Sequence, residues 1–148
     1  MSRPDVIVVG GGIVGAACAF YLTVEGLAVL VLEAGFAGGG TTATGMGHLS
    51  VLDDSEAEFA LSAYSLELWR ELAPALSPEC EDDPTGCLWV AADEEELAHV
   101  PRKAAFYRTR GVAAEELSSA DIARLEPRLR PGLAGGLLVP ADRVLYQP

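Results

Sequence analysis

The sequence has few cysteines, few histidines and few basic residues. Its three cysteines are too few and too irregularly spaced for a disulfide framework, so we expect a reducing, cytoplasmic location. Neither they nor the two histidines have the spacing of a zinc site, and we expect no bound metal. Ten basic against 22 acidic residues give a net charge of −12, which would repel nucleic acid phosphates. We therefore expect no nucleic-acid partner.

The stretch without any charged residue from Val6 to Val24 is apolar enough to suggest a membrane helix. Three consecutive glycines, Gly10 to Gly12, interrupt it near its start and would break such a helix. We expect no integral membrane span. Hydrophobic residues make up 50% of the 148 residues, which is typical of a globular chain with a buried core.

The first 33 residues have the pattern of a βαβ unit. The apolar, β-branched run 6–9 predicts a strand buried on both faces of a parallel sheet. Small and apolar residues then predict a helix from 13 to about 25, closed by Gly26. A second strand is predicted over 28–32, directly before Glu33.

The turn between the first strand and the helix matches the dinucleotide-binding pattern G-x-G-x-x-G at Gly10, Gly12 and Gly15. A strand precedes it and a helix follows, which is the context that gives the pattern its meaning. Backbone N–H groups of Ile13 and Val14 would then face the phosphates at the positive end of the helix.

Glu33 completes this pattern at the end of the second strand. A carboxylate there can accept hydrogen bonds from an adenosine ribose and would repel a 2′-phosphate. The alternative is an ordinary α/β protein in which the glycines form a turn and Glu33 is solvated. The pattern by itself does not distinguish NAD from FAD.

A glycine-rich loop covers residues 34–47 and continues to a histidine. Its hydroxyls and bare N–H groups could follow a second stretch of phosphate and ribityl chain. The candidate residues in this loop are Thr41, Thr42, Thr44, Gly45, Met46, Gly47 and His48.

The remainder of the chain alternates short helices and strands. Ser55 and Glu58 form a capping box that opens a helix to about residue 73. One apolar stripe on this helix holds Ala57, Leu61, Tyr64, Leu68 and Leu72. Phe59, Leu66 and Trp69 lie off that stripe, so we expect the helix to be covered on more than one side. Strands are predicted over 87–91, 112–117 and 137–139, and helices from Asp93, broken at Pro101, and over 119–126.

With these segments in view, the sequence resembles the N-terminal part of the FAD-dependent D-amino-acid oxidase superfamily. GGGTTATGM is similar to the glycine oxidase and sarcosine oxidase branch, and GHLSVLDD to bacterial D-amino-acid or D-hydroxyproline dehydrogenases. The resemblance implies FAD as cofactor. It also implies these contacts: Ile13 and Val14 at the pyrophosphate, Glu33 and Ala34 at the ribose, Thr41 and Thr42 at phosphate, and Thr44, Gly45 and Met46 beside the flavin ring.

The resemblance further implies an activity. The complete enzyme would oxidise the CH–NH bond of a glycine, sarcosine, D-amino acid or D-hydroxyproline substrate by hydride transfer to flavin, and water would hydrolyse the imine. His48 could face flavin or substrate, or be an ordinary loop residue. No residue is identified as catalytic. Two alternatives stay open, an NAD-dependent oxidoreductase and a non-catalytic flavin-binding subunit of a larger complex.

The implied fold is α/β, with a Rossmann-like βαβ start of an incomplete doubly wound parallel sheet, followed by the beginning of an α+β substrate domain. We expect the FAD-binding segment at 1–80 and the truncated substrate domain at 81–148. The chain ends at what looks like an internal point of the family. We therefore expect a fragment with an exposed apolar edge, which the missing C-terminal half or another subunit would complete.

Overall fold

The computed structural model describes residues 3–52 and 55–146. Asp53 and Asp54, which end the GHLSVLDD motif, lie outside the described residues, as do the outermost residues of both predicted domains. The described chain forms two compact units, residues 3–46 and residues 47–146, called here the first and the second unit.

The first unit is the predicted βαβ arrangement. Strand β1 (Val6–Val9) leads through the glycines into helix α1 (Ile13–Val24), and strand β2 (Val29–Leu32) follows. The two strands pair in parallel, with Val6 opposite Val29 and Val9 opposite Leu32. One turn of 3-10 helix, Thr41–Thr44, lies within the predicted loop. The prediction of a Rossmann-like start is confirmed.

The burial of β1 differs from the prediction. Val6 and Val8 are half-buried while Ile7 and Val9 are exposed, so the strand is not covered on both faces. The reason is that the sheet of the first unit has two strands within the described residues. No described residue of this unit is buried, and the expected exposed apolar surface is present.

The second unit contains the other helices and strands. They are β3 (His48–Leu49), α2 (Glu56–Leu72), β4 (Cys87–Ala91), α3 (Glu94–Leu97), α4 (Val100–Arg108), β5 (Glu115–Ser118), α5 (Ser119–Leu125), β6 (Gly135–Val139) and β7 (Arg143–Val144). Strands β4, β6 and β5 form an antiparallel sheet in that order. β3 and β7 form a separate antiparallel pair.

The core of the second unit lies between α2, α4 and strand β6. Its buried members are Val51, Phe59, Leu66, Val100, Ala104, Tyr107, Ala114, Leu137 and Val139. Aromatic rings meet here edge to face, with the Phe59 and Phe106 centroids 5.3 Å apart.

The stripe predicted for α2 is wrong at Leu61 and Tyr64, and the expected cover beyond that stripe is confirmed at Phe59 and Leu66. Leu61 and Tyr64 are 68% and 59% exposed, whereas Phe59 and Leu66 are buried. Two sets of apolar residues at helical spacing occur on this helix, and the set with the buried phenylalanine ring packs against α4.

The predicted break at Pro101 is confirmed, because α3 ends at Leu97 and α4 begins at Val100, with the proline in its first turn. β4 has its predicted bounds. The strand predicted over 112–117 is found as β5, three residues later at its start. β3 and β7 were not predicted, since two-residue strands carry no periodicity.

By packing, the chain divides after Met46, because α2 contributes to the core of the second unit. The division at residue 80 stays a prediction about the two functions. The charge-free stretch folds as β1, a glycine turn and the 12-residue α1. Within the described ranges, no helix is both long and apolar enough to cross a membrane.

Candidate cofactor site

The glycine turn permits a close approach of α1 to the end of β1. Gly10 has a φ of +105°, and its N–H donates to the carbonyl of Leu32 at 2.8 Å, which extends the parallel pairing by one residue. A Cβ at Gly15 would lie 1.9 Å from the carbonyl oxygen of Gly10. Only a glycine therefore fits at Gly15 with this packing.

One of the backbone N–H groups at the N-terminal end of α1 is bound by the loop that follows β2. The N–H of Ile13 donates to Oγ1 of Thr42 at 3.0 Å, and a Cβ at Gly12 would lie 2.9 Å from the same oxygen. Within residues 3–52 and 55–146, the N–H groups of Gly12, Val14 and Gly15 have no protein acceptor. Of the two amide groups predicted to face phosphate, the Val14 N–H is thus the open one.

Glu33 lies across from the glycine turn. Its carboxylate accepts hydrogen bonds from the N–H of Gly11 at 2.7 Å and of Gly35 at 2.9 Å. The Gly11 bond, followed by those of Gly35 and Ala34, lowers the pKa of this carboxyl below its usual value. Glu33 is therefore ionised at neutral pH. A carboxylate has about four acceptor sites, so the bonds from Gly11 and Gly35 leave capacity for hydroxyl groups.

Gly11 was missed as a site residue. A Cβ there would lie 3.2 Å from Cβ of Glu33, and its N–H orients the carboxylate. The signal in the sequence is weak, because the dinucleotide-binding pattern leaves its second position open.

The loop after β2 is tied to the glycine turn by backbone and hydroxyl contacts. The N–H of Gly38 donates to the carbonyl of Gly11 at 2.9 Å, and Thr42 reaches Ile13 as described. Thr44 donates its hydroxyl to the carbonyl of Thr41 at 2.9 Å, which closes the 3-10 turn. Other predicted contacts, Ala34, Gly45 and Met46, are exposed.

Gly47 and His48 belong to the second unit. Gly47 is buried with a φ of +69°, and His48 is exposed in β3 opposite Val144. Among the described residues, no group of three His, Cys, Asp or Glu side chains could hold a metal ion.

The first unit fits the ADP half of a dinucleotide. Open N–H groups lie at the positive end of α1, whose first turn has no acidic residue, and Gly10 to Gly12 present no side chain there. The ionised Glu33 is an acceptor for ribose hydroxyls. NAD and FAD share this half, and these contacts suit both.

Comparison with known proteins distinguishes between NAD and FAD as the cofactor. A family model described as "DAO: FAD dependent oxidoreductase" matches residues 5–148. The glycine oxidase of Geobacillus kaustophilus (strain HTA426) is 30% identical over 155 residues, which cover 99% of this chain and 41% of that protein. The crystal structure of glycine oxidase from Geobacillus kaustophilus superposes with a TM-score of 0.87, covering 100% of this chain and 42% of that one.

Two further proteins are similar over nearly the whole chain. The structure of L-proline dehydrogenase from P. horikoshii is 26% identical with a TM-score of 0.82, covering 97% of this chain and 38% of its own. The mitochondrial pyruvate dehydrogenase phosphatase regulatory subunit of Mus musculus is 28% identical over 146 residues, 97% of this chain and 17% of that protein. The chain thus spans less than half the length of these relatives.

Proposed function

Because the chain belongs to the FAD dependent oxidoreductase family, we propose that it contributes the FAD-binding part of an enzyme that oxidises the CH–NH bond of a small amino acid. The family's cofactor is FAD, so the NAD alternative falls away. The observation that carries the proposal is the end of α1, where the N–H groups of Gly12, Val14 and Gly15 are open beside the ionised Glu33. The similarity to glycine oxidase supports the substrate class.

We assign the roles residue by residue. Gly12 and Val14 donate their N–H groups to the diphosphate, and Gly10 and Gly15 permit the turn that aims them. Thr42 holds the Ile13 N–H and closes the loop over the helix end. Glu33 accepts hydrogen bonds from ribose beside Ala34.

The loop residues complete the proposed cofactor contacts. Thr41 binds phosphate, and the flavin-ring side is formed by Thr44, Gly45, Met46, Gly47 and His48. Bound FAD supplies the acceptor for the electron pair removed from the substrate carbon. This chain's own residues hold the cofactor and keep its ring beside the substrate, and none of them is assigned a catalytic role.

One observation favours a second candidate function. The mouse relative is a regulatory subunit, and it is 28% identical over 97% of this chain. A non-catalytic flavin-binding subunit is therefore the alternative to the enzyme.

We also propose a cytoplasmic location, because the three cysteines are free. The exposed apolar surface of the first unit would be covered by further chain or by other subunits.

The complete protein that carries this chain provides the test. It is saturated with FAD, and reduction of an artificial electron acceptor is measured with glycine, sarcosine or D-proline, and with glycolate as the matched CH–OH compound. We expect turnover with at least one amine and none with glycolate. Turnover with glycolate alone would overturn the substrate class, and bound flavin without any turnover would favour the non-catalytic subunit.

A further inference from the structure

The segment that follows the predicted flavin-side loop is anchored by the C-terminal end of the second unit. In this segment, residues 47–51, called here the β3 segment, His48 pairs with Val144 and Leu49 with Arg143. The N–H of Leu145 donates to the carbonyl of Gly47 at 2.8 Å. A Cβ at Gly47 would lie 2.0 Å from the Leu145 carbonyl oxygen, so the two backbones meet closely there.

Asp142, which directly precedes β7, holds the other end of the β3 segment. It is 1% exposed, and its carboxylate accepts hydrogen bonds from the Ser50 hydroxyl at 2.5 Å and from the Val51 N–H at 3.1 Å. The Ser50 oxygen in turn accepts from the Leu52 N–H at 3.0 Å. One carboxylate therefore fixes the backbone path of three consecutive residues about ninety positions earlier in the chain.

Asp142 is itself held in place from the opposite side. Its main-chain carbonyl accepts from the N–H of Gly86, the residue before β4, at 3.0 Å. The neighbouring Arg143 forms a two-pronged ion pair with Asp82, at 2.6 and 2.9 Å. The carboxylate is thus presented to the β3 segment by contacts of Asp142 and Arg143 with the residues that precede β4.

Burying a carboxylate costs free energy, and burial raises the pKa of Asp142 in spite of its bonds to Ser50 and Val51. A buried carboxylate is thus a poor choice for stability alone, and what it specifies here is one path for residues 50–52.

We propose that Asp142 is a positioning residue that sets the placement of Gly47 and His48 toward the flavin. The inference rests on the proposed function, because only a cofactor-binding chain gives these two residues a ligand to face. Asp142 touches neither cofactor nor substrate in this scheme. It acts through Ser50, Val51 and the pairing of β3 with β7.

The chain offers a matched control at Asp121. Its carboxylate also accepts from a serine hydroxyl, Ser118 Oγ at 2.6 Å, and from a backbone N–H, that of Ser118 at 3.0 Å. This pair caps α5 and has no contact with the β3 segment. Asp121→Asn therefore makes the same substitution without affecting the proposed positioning, and it also removes the ion pair of Asp121 with Arg124 at 2.6 Å.

The experiment uses the complete protein and compares wild type, Asp142→Asn and Asp121→Asn. Amide hydrogen exchange is first measured without FAD. The FAD dissociation constant and the visible circular dichroism of the bound flavin are then measured for each protein. For Asp142→Asn we expect faster exchange confined to residues 47–52, about tenfold weaker FAD binding and an altered flavin spectrum. Asp121→Asn should change exchange in α5 alone and leave FAD binding and the spectrum unchanged.

Ser50→Ala keeps the test valid if Asp142→Asn does not fold, since it removes one of the two bonds and should show the same changes in smaller degree. Unchanged exchange at 47–52, or faster exchange throughout the second unit with an unchanged flavin spectrum, would overturn the positioning role. A wild-type protein that binds no FAD would instead refute the proposed function, and the positioning role with it.

Discussion

The two units of this chain are specified by different forces. Every buried apolar side chain in the described residues lies in the second unit, between Val51 and Val139. In the first unit Val9, Val14 and Phe36 are 84%, 73% and 73% exposed, and no described residue is buried. Burial of apolar side chains thus defines the shape of the second unit. Hydrogen bonds and glycine packing define the shape of the first.

This difference in burial indicates which unit a bound cofactor should stabilise. The second unit has a core whose burial stabilises it without a cofactor. The first unit depends on steric limits at glycines and on hydrogen bonds of Glu33 and Thr42 to backbone N–H groups. Because a ligand stabilises the state that binds it, FAD should stabilise the first unit far more than the second.

The largest effect is expected from removing the central ring of the second unit's core. Phe59→Ala should lower the free energy of unfolding by about 3–5 kcal/mol, because it deletes a buried ring that packs on Phe106 and Tyr107. Urea unfolding followed by tryptophan fluorescence measures this, since Trp69 and Trp89 both lie in the second unit. Tyr64→Ala on the same helix is the control, with an expected change within about 0.5 kcal/mol.

Next in size is a change that affects the first unit alone. Gly15→Ala would place a Cβ 1.9 Å from the Gly10 carbonyl oxygen, and the helix must move away from the turn. If the displacement costs about 1–3 kcal/mol, FAD binding weakens roughly 5- to 150-fold. Gly40→Ala, where a Cβ meets no atom within 4 Å, should bind FAD like wild type. If Gly15→Ala greatly shifted the urea midpoint measured by tryptophan fluorescence, the two units would not be stabilised independently.

A smaller effect is expected at Glu33. Glu33→Gln leaves one acceptor oxygen for the two N–H groups of Gly11 and Gly35, and it removes the charge. FAD binding should weaken several-fold, and exchange of the Gly11 amide should accelerate. Glu25→Gln, at the exposed C-terminal end of α1, should leave both quantities unchanged. Equal affinity of the two variants would show that Glu33 has no part in binding.

The smallest effect is a pH dependence in the second unit. Burial raises the pKa of Asp142 above 3.8, so the folded state keeps a proton that the unfolded state has already lost. This contribution makes the free energy of unfolding fall as pH rises from about 3.8 through the raised pKa, and it is constant above. Asp142→Asn should remove that fall, which unfolding curves of both proteins across this range would reveal. An identical pH dependence would contradict the assignment.

The first unit could be predicted almost completely from the sequence. β1 and α1 begin where the apolar run and the glycines indicate. The glycines at 10–15 and Gly26 mark the ends of these elements, and this signal is local in the sequence. What failed there was burial, which depends on the number of neighbouring strands. The Thr42 to Ile13 bond could not be foreseen either, since it joins residues 29 positions apart.

The second unit was harder because its determinants are long-range. Two apolar sets compete on α2, and only packing against α4 selects the one with Phe59. Asp142 lies in a short turn with no motif, and its partners Ser50 and Val51 are 92 and 91 residues away. Capping signals, by contrast, predicted helix starts at Ser55 and Asp93 correctly, because they are local.

The most direct test of the central claim is amide hydrogen exchange of residues 10–15 with and without FAD. The account predicts that FAD slows exchange of the Gly12, Val14 and Gly15 amides and that the strands 87–91 and 135–139 are unaffected. FAD that binds without protecting these three amides would contradict it.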